Sequence, residues 1–403
     1  AMLMNIALIV LIVLTVLTAA RLLNVIQAAA TLRGQKAHEV SESDNQLNAF
    51  IWLLYLVGLL GMFVYLTVKY YNDQFVPQAA SAHGEEVDSL LNLNFIVISI
   101  AFVITQVLLI WFSWKYRYNK ARRATHYAHN NNLELIWTLV PAVVMAVLVL
   151  KGLIVWSHIT DDDEGAMNLE LYARQFDWSA RYSGADNALG KANYTMINND
   201  NILGLLSPET IMEQMTLLRR DSTVTDSSIV NGFMPEEKLS KEKTRLRRII
   251  HQIRTIAGFR YEYETGAETF ASTYDDVIVR DTIYLPVNRP IKLTMRSQDV
   301  IHSAYMPHFR VHMYCVPGTE TYFNFTPIIT SEEMKEKLND PDFEYRLYCN
   351  NICGATHFNM MLPIRVIDGE AYDTWAAGKK TFGQETTERL AAKGWITRFA
   401  NNN

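Results

Sequence analysis

Two cysteines, a histidine and a methionine stand at Cys349, Cys353, His357 and Met360, a C-x3-C-x3-H-x2-M spacing. Thiolate, imidazole and thioether form a soft donor set that suits copper cycling between oxidation states. Donors on one short loop are also held too rigidly to rearrange when an electron moves. A second imidazole would complete such a site, and His302 in Asp299-Val300-Ile301-His302-Ser303, beyond the apolar run 291–295, is the upstream candidate. A disulfide is the plainer reading of a close cysteine pair on an oxidising face, but it needs neither His357 nor Met360. Structural zinc rarely recruits a thioether. The third cysteine, Cys315, fits no ligand pattern and reads as a small buried thiol.

The elements that must position these donors fall into two regions. The chain has 403 residues, 49% of them hydrophobic, enough for more than one domain and apolar for a wholly soluble protein. Four apolar stretches, 6–23, 50–68, 95–114 and 135–156, each match the ~20 residues an α-helix needs to cross a bilayer, and four membrane helices are predicted. The first stretch lacks a cationic leader and a small-residue cleavage site, so a retained anchor is expected rather than a signal peptide. Lys115, Arg117, Lys120, Arg122 and Arg123 precede the last stretch with no acid among them, which places that loop inside. The connector with Asp73, Glu85, Glu86 and Asp88 is then outside, as is everything from about Asp161 onward. The net charge of −5 says little about partners, and nothing in the chain points to nucleic acid.

Beyond the apolar region, the short segments 277–279, 283–285, 291–295 and 322–325 are β-rich and broken by Pro, Asn and Gly. They predict an all-β antiparallel sandwich, a fold that carries ligands on its end loops.

At this point the chain resembles subunit II of the haem-copper cytochrome c oxidases, with a cupredoxin-like sandwich on a membrane helical hairpin. The likeness is carried by the copper loop and by His129 to Ala142 (HNNNLELIWTLVPA). Gln175-Phe176-Asp177-Trp178-Ser179, Asp299 to Ser303 and Val316-Pro317-Gly318 extend it. The resemblance implies a dinuclear copper A centre, with Cys349 and Cys353 bridging two copper ions and His302 and His357 binding one each. Met360 and the carbonyl of Asn351 would be weaker ligands. It further implies electron transfer from a c-type cytochrome to haem in subunit I, where O2 is reduced to water with proton translocation, at a bacterial inner membrane. Other oxidase subunits would be neighbours, and the activity would belong to the complex. No C-x-x-C-H occurs, so no covalent haem is expected in this chain. A quinol oxidase subunit of the same fold is an alternative, although such subunits typically lack the copper ligands. So is an anchored copper carrier or sensor.

Two departures accompany the likeness. The family commonly has Glu where this chain has Asn351, and a neutral amide is a weaker ligand for a hard cation, so the family's second-metal side-chain role does not follow. The aromatic segment has Phe176 where the family usually has the Trp thought to receive electrons. Trp178 is retained and reads equally as core packing or as part of the docking region. Glu134 suits the start of a helix at the inner interface, and by resemblance it is the Glu at the mouth of a proton path.

The expected organisation is two additional helices over 1–80, the hairpin over 81–160, and the copper domain over 161–186 and 272–372. An insertion fills 187–271, and a C-terminal helix and tail fill 373–403. Within the insertion, Ser207-Pro208-Glu209-Thr210 and Met234-Pro235-Glu236-Glu237 open two helices. The second has an apolar stripe of Ile249, Ile250, Ile253 and Ile256 and a cationic face with Lys238, Lys241, Lys243, Arg245, Arg247, Arg248 and Arg254. That face is either simply solvated or a docking element for a neighbouring respiratory complex or a dedicated donor.

Overall fold

The computed structural model describes residues 2–32, 41–70, 76–119, 121–123, 125–126, 128–161, 165–230, 236–258 and 270–394. The chain forms two compact units, one of Ala1–Phe75 with Asn94–Leu139 and one of Val76–Leu93 with Val140–Asn403. Four helices open it: α1 (Met2–Leu32), α2 (Glu42–Tyr70), α3 (Ala82–Lys115) and α4 (Asn131–Thr160). Among the described residues α2, α3 and α4 are long and apolar enough to cross a membrane, with mean hydropathy 2.3, 2.6 and 2.4 and almost none of their apolar windows buried. A helix that is apolar all round and covered by no protein is suited to lipid. Three of the four expected membrane helices are thus shown among the described residues. The first expected stretch lies on α1, where the described apolar run is only Val13–Ile26.

The second unit is a sandwich. Its strands are β1 (Met167–Arg174), β2 (Asp177–Tyr182), β3 (Val277–Val279), β4 (Ile283–Pro286), β5 (Ile291–Ser297) and β6 (His302–Met306). After them come β7 (Val311–Cys315), β8 (Thr321–Phe325), β9 (Tyr345–Cys349) and β10 (Met361–Ile367). One sheet has the order β3-β2-β1-β5-β8 and the other β4-β10-β9-β6-β7. The expected strands all form, but the sandwich is not purely antiparallel: β1 pairs with β5, and β4 with β10, in parallel. Parallel neighbours need a long crossover, and the chain between β1 and β5, which contains the insertion, is long enough to supply one.

Period-2 alternation sends Leu169, Leu171, Ala173, Trp178 and Ala180 into the core between the sheets. Glu170, Tyr172 and Arg181 point the other way and are nevertheless buried, because the insertion covers that face. Leu203 and Leu205 pack there against Tyr172 and Phe382. The insertion's helices, α5 (Pro208–Val230) and α6 (Glu236–Gly258), close a small core of Met196, Leu206, Leu218, Leu246 and Ile253, with Ile249 and Ile250 against it. Ser207 caps α5 as expected, its Oγ accepting from Thr210 N at 3.2 Å. Met234, Pro235 and the side chains of Arg254 and Ile256 lie outside the described residues.

After the short helix α7 (Ser331–Leu338), the C-terminal region holds two helices, α8 (Gly369–Ala377) and α9 (Phe382–Ala392), where one was expected. The break falls after Gly378, and a capping box of Thr381 and Gln384 starts the second. Residues 395–403, the expected tail, lie outside the described set. Buried Glu213 of α5 accepts from Arg389 of α9 at 2.7 Å and from Lys393 just beyond it at 2.9 Å, locking the insertion to the C-terminal end. At the other side of the unit, the turn between β6 and β7 is tied to the start of α3. Ala80 N donates to His308 O at 2.7 Å, Ser81 Oγ to Phe309 O at 2.8 Å, and Arg310 pairs with Asp88 at 2.8 Å.

Candidate metal centre

β9 ends at Cys349, and β10 begins one residue after Met360. The Tyr348–Met361 pair closes the loop between them, and Cys349 N donates to Met360 O at 3.0 Å. β6 is the other neighbour of β9, with Ala304 opposite Cys349, so His302 at its start comes alongside the loop. Asn350 N donates to Ser303 O at 3.1 Å and fixes that approach.

The donors converge in a paired arrangement. The two Sγ atoms are 3.9 Å apart and unbonded. Cys349 Sγ lies 3.8 Å from His302 Nδ1 and 3.2 Å from the carbonyl O of Asn351. Cys353 Sγ lies 3.6 Å from His357 Nδ1 and 3.7 Å from Met360 Sδ. Each sulfur thus has one imidazole nitrogen and one weak donor beside it. The His302 nitrogen and both sulfurs lie within 4.8 Å of one another and are the only such metal-competent group among the described residues. His302, Cys349, Cys353 and Met360 are buried, and His357 is half-buried. Soft sulfur with imidazole in a largely buried group fits copper.

Electrostatics favour a cation here. Burial raises the Cys349 thiol, but hydrogen bonds from His302 and the backbone of Ser303 and Asn351 outweigh it and bring it down to about 6. Burial, followed by the adjacent Cys349 sulfur, pushes Cys353 up to about 11. The two sulfurs are thus biased in opposite directions, and a metal ion bound beside them would compete with the Cys353 proton.

Three contacts around the ligands were not assigned roles from sequence. Asp299 Oδ1 accepts from His302 Nε2 at 2.9 Å, which leaves Nδ1 facing the sulfurs, and its other oxygen accepts from Gln175 N at 2.7 Å. A carboxylate three residues before a candidate ligand histidine is the signal that could have found it. Gln175 Nε2 also donates to the carbonyl of Cys353, linking the β1–β2 turn to the loop. The Asn351 amide donates to Ile301 O at 2.8 Å. An ionised Glu cannot make that bond, because a carboxylate only accepts.

Replacing Asp299 with alanine frees the His302 ring to turn, and copper affinity of the full-length protein is expected to fall by about 10- to 100-fold with the fold kept. A competition titration against a copper chelator measures this, and wild-type affinity would refute a positioning role.

The other singled-out residues are not donors. Phe176 lies in the β1–β2 turn with its ring against the loop, so close that a Cβ on Gly354 would fall 2.8 Å from it. Gly354 is therefore required, and its φ of +145° also suits only glycine. Trp178 is 1% exposed in the sandwich core, its ring edge-on to His302 at 6.2 Å. Cys315 is fully buried opposite His302 in β7, where burial pushes its thiol up to about 12. Glu134 sits exposed in the first turn of α4, where Asn130 Oδ1 accepts from Leu133 N at 3.1 Å.

Two family models match this chain, the transmembrane domain of cytochrome c oxidase subunit II over residues 68–155 and its periplasmic domain over residues 264–367. The chain belongs to the cytochrome c oxidase subunit II family. Among its relatives is the alternative cytochrome c oxidase subunit 2 of Bradyrhizobium diazoefficiens, 24% identical over 73% of this chain and 81% of that protein. Cytochrome c oxidase subunit 2 of Synechocystis is 21% identical over 79% and 80%. A crystal structure of the periplasmic domain of a Bradyrhizobium japonicum subunit II shares 15% identity, with 54% of this chain and 95% of that one covered and a TM-score of 0.26. As subunit II, the chain is a membrane-anchored component of an oxidase with a periplasmic copper-binding domain, and it works with the other oxidase subunits.

Proposed function

We propose that this subunit II holds two copper ions, takes electrons singly from a c-type cytochrome and delivers them to haem in subunit I. The observation that carries the reading is the paired donor arrangement, in which each of two adjacent sulfurs has its own imidazole nitrogen and its own weak donor. A copper pair sharing both thiolates would delocalise one electron over two metals. The chain's part is to keep the donors still: β6, β9 and β10 fix their backbones, Asp299 holds His302 and Gln175 clamps the carbonyl of Cys353. The surrounding core excludes water, so little solvent needs to reorganise. The test is the optical and EPR spectrum of the copper-loaded protein. A purple species with hyperfine structure shared over two nuclei is expected, and a blue single-copper spectrum would end the proposal.

Several finer assignments belong to the same reading. Cys349, Cys353, His302, His357, Met360 and the Asn351 carbonyl would hold the copper, with the two thiolates as the donors the ions would share and the thioether and carbonyl as the weak ones. Phe176, resting on the loop, lies on the route of incoming electrons, and Trp178 supports His302 from the core. Glu134 opens a proton path into subunit I. α1 is a further membrane crossing, and the membrane is a bacterial inner membrane. The domain division set out from sequence is retained, with 187–271 as the insertion.

The insertion's cationic helix serves as attachment for a neighbouring respiratory complex. Arg247 and Arg248 are exposed on α6, and rim charges act mainly through association rates. The double substitution Arg247→Glu with Arg248→Glu is expected to leave copper bound while slowing electron input about 10-fold at low ionic strength. Stopped-flow reduction at two salt concentrations, with native gels for complex composition, checks it. If both are unchanged, the face is merely solvated.

A further inference from the structure

A cleft of about 600 Å³ opens in the second unit away from the copper loop, with Tyr182, Asp275, Arg289, Tyr372, Trp375 and Lys379 in its lining. Strand β1 begins there, at Met167, and ends beside Gln175, which holds the Cys353 carbonyl. Its eight residues put roughly 23 Å between the two places. The size suits a small molecule. One wall is aromatic, with the Trp375 ring 5.2 Å from that of Tyr182 and 5.6 Å from that of Tyr372. Both phenols are engaged elsewhere, Tyr182 Oη donating to Tyr284 O at 3.0 Å and Tyr372 Oη to Met167 Sδ at 3.1 Å. That wall therefore offers ring surface.

The charged residues of the lining are two acids and two bases, so they carry no net charge. Asp275 is drawn under the turn after β2, where its Oδ2 accepts from Ala185 N at 2.8 Å and Asp186 N at 3.1 Å. Gly184 admits it, since a Cβ there would fall 2.4 Å from the Asp275 Cγ. The other oxygen, Oδ1, is enclosed and has no hydrogen-bond partner among the described residues, and a buried acceptor of that kind calls for a donor. Phe382 N donates to Asp276 O at 2.7 Å, which brings the link between α8 and α9, with Lys379, to this segment. The Lys379 ammonium lies 5.4 Å from the centre of the Trp375 ring. Arg289 stands 5.4 Å over Tyr372 and donates through Nη1 and Nη2 to Asp373 at 3.1 and 3.2 Å. Its planar fork, the part that would grip a carboxylate, is thus taken. We infer that the cleft binds a zwitterion in which a primary ammonium is joined to a phosphate. The ammonium donates to Asp275 Oδ1 against the aromatic wall, and the phosphate oxygens accept from Lys379, whose compact charge suits them. A ligand of one sign would meet an opposing charge for each favourable one. The same chemistry occurs in an aminophospholipid headgroup and in a free aminoalkyl phosphate.

Calorimetric titration of the full-length, detergent-solubilised protein with O-phosphoethanolamine tests this, beside ethanolamine and inorganic phosphate. Saturable binding of the joined molecule is expected, with each fragment weaker by about tenfold or more, the usual worth of a hydrogen bond to a charged group. Lys379→Glu and Asp275→Asn should each weaken it by about the same factor. Asp275→Asn keeps an oxygen for the Ala185 and Asp186 amides, and Lys379 is half-buried, so the test does not hang on one variant that fails to fold. Lys380→Glu is the control, because Lys380 pairs with Glu388 outside the lining, and it should bind as wild type. Dioctanoyl phosphatidylethanolamine and dioctanoyl phosphatidylglycerol, with native mass spectrometry of lipid retained on extraction, separate the two sources. A lipid occupant is retained, and its short-chain form binds about tenfold or more tightly than O-phosphoethanolamine, whereas a free zwitterion gains nothing from acyl chains. The assignment is overturned if neither zwitterion binds and none is retained, if inorganic phosphate or phosphatidylglycerol binds as well, or if both lining variants keep wild-type affinity. The cleft then holds only water.

Discussion

Cys349→Ser abolishes the two-copper signal and lowers oxidase turnover by well over about 100-fold, beyond the usual cost of losing a partner outside the ligand set. Cys349 Sγ is the sulfur closest to both His302 and the Asn351 carbonyl, and it carries the lower-lying of the two thiol pKa values. A serine hydroxyl there is neither soft nor ionised, so Cys353 loses the neighbour with which it would share a metal. Cys315→Ser is the informative control. That side chain is also fully buried, in the strand opposite His302, but no ligand depends on it. The copper spectrum is expected intact, with a stability loss of about 1–3 kcal/mol for burying a hydroxyl. EPR on membranes from both variants, with oxygen consumption, decides. A retained signal in the Cys349 variant would remove Cys349 from the site, and a lost signal in the Cys315 variant would make Cys315 a ligand.

The largest expected stability effect lies at Arg181. Its Nε donates to Glu170 at 2.5 Å and its Nη1 to Asp276 at 2.8 Å, with the Gly190 carbonyl accepting at 2.7 Å. Arg296 also reaches Glu170. Burial pushes Asp276 up to about 7 even with Arg181 beside it. For Glu170 burial works upward, and the two arginines overcome it to hold the carboxyl below its usual value. Arg181→Met leaves Asp276 with only the Gly190 N–H, at 3.1 Å, as donor, the Gly190 carbonyl without its guanidinium partner, and Glu170 with a single arginine. Breaking a buried pair by removing one member costs about 3–5 kcal/mol. Thermal unfolding of the detergent-solubilised protein should show a Tm lower by several degrees, with the copper spectrum kept while folded. An unchanged Tm would mean that water or rearranged side chains replace the network.

That network was not legible in the sequence. Glu170 and Arg181 alternate with core residues as polar positions on a half-solvated sheet do, and period alone predicts that they face water. They are buried because a segment inserted later in the chain folds back over them. The insertion's helices, by contrast, were readable from Ser207, Pro208 and the isoleucine stripe, since caps and amphipathic period are local properties. Its attachment through Glu213 to Arg389 and Lys393 joins residues about 180 positions apart, and no spacing rule reaches that far.

By itself the sequence determined the candidate metal loop, because C-x3-C-x3-H-x2-M places four sulfur and nitrogen donors within twelve residues and a turn of that length has few ways to hold them. It also pointed to His302 as the candidate second imidazole, and it determined the apolar helices as a membrane anchor, where composition and length suffice. Only the tertiary structure decided that each sulfur has its own nitrogen and its own weak donor, that Asp299 turns the His302 ring, and that the Asn351 amide is committed to Ile301. The same holds for which sandwich face the insertion covers. These depend on strand register and on which distant segment covers which face, and both are settled by packing between elements rather than by the order of residues within one.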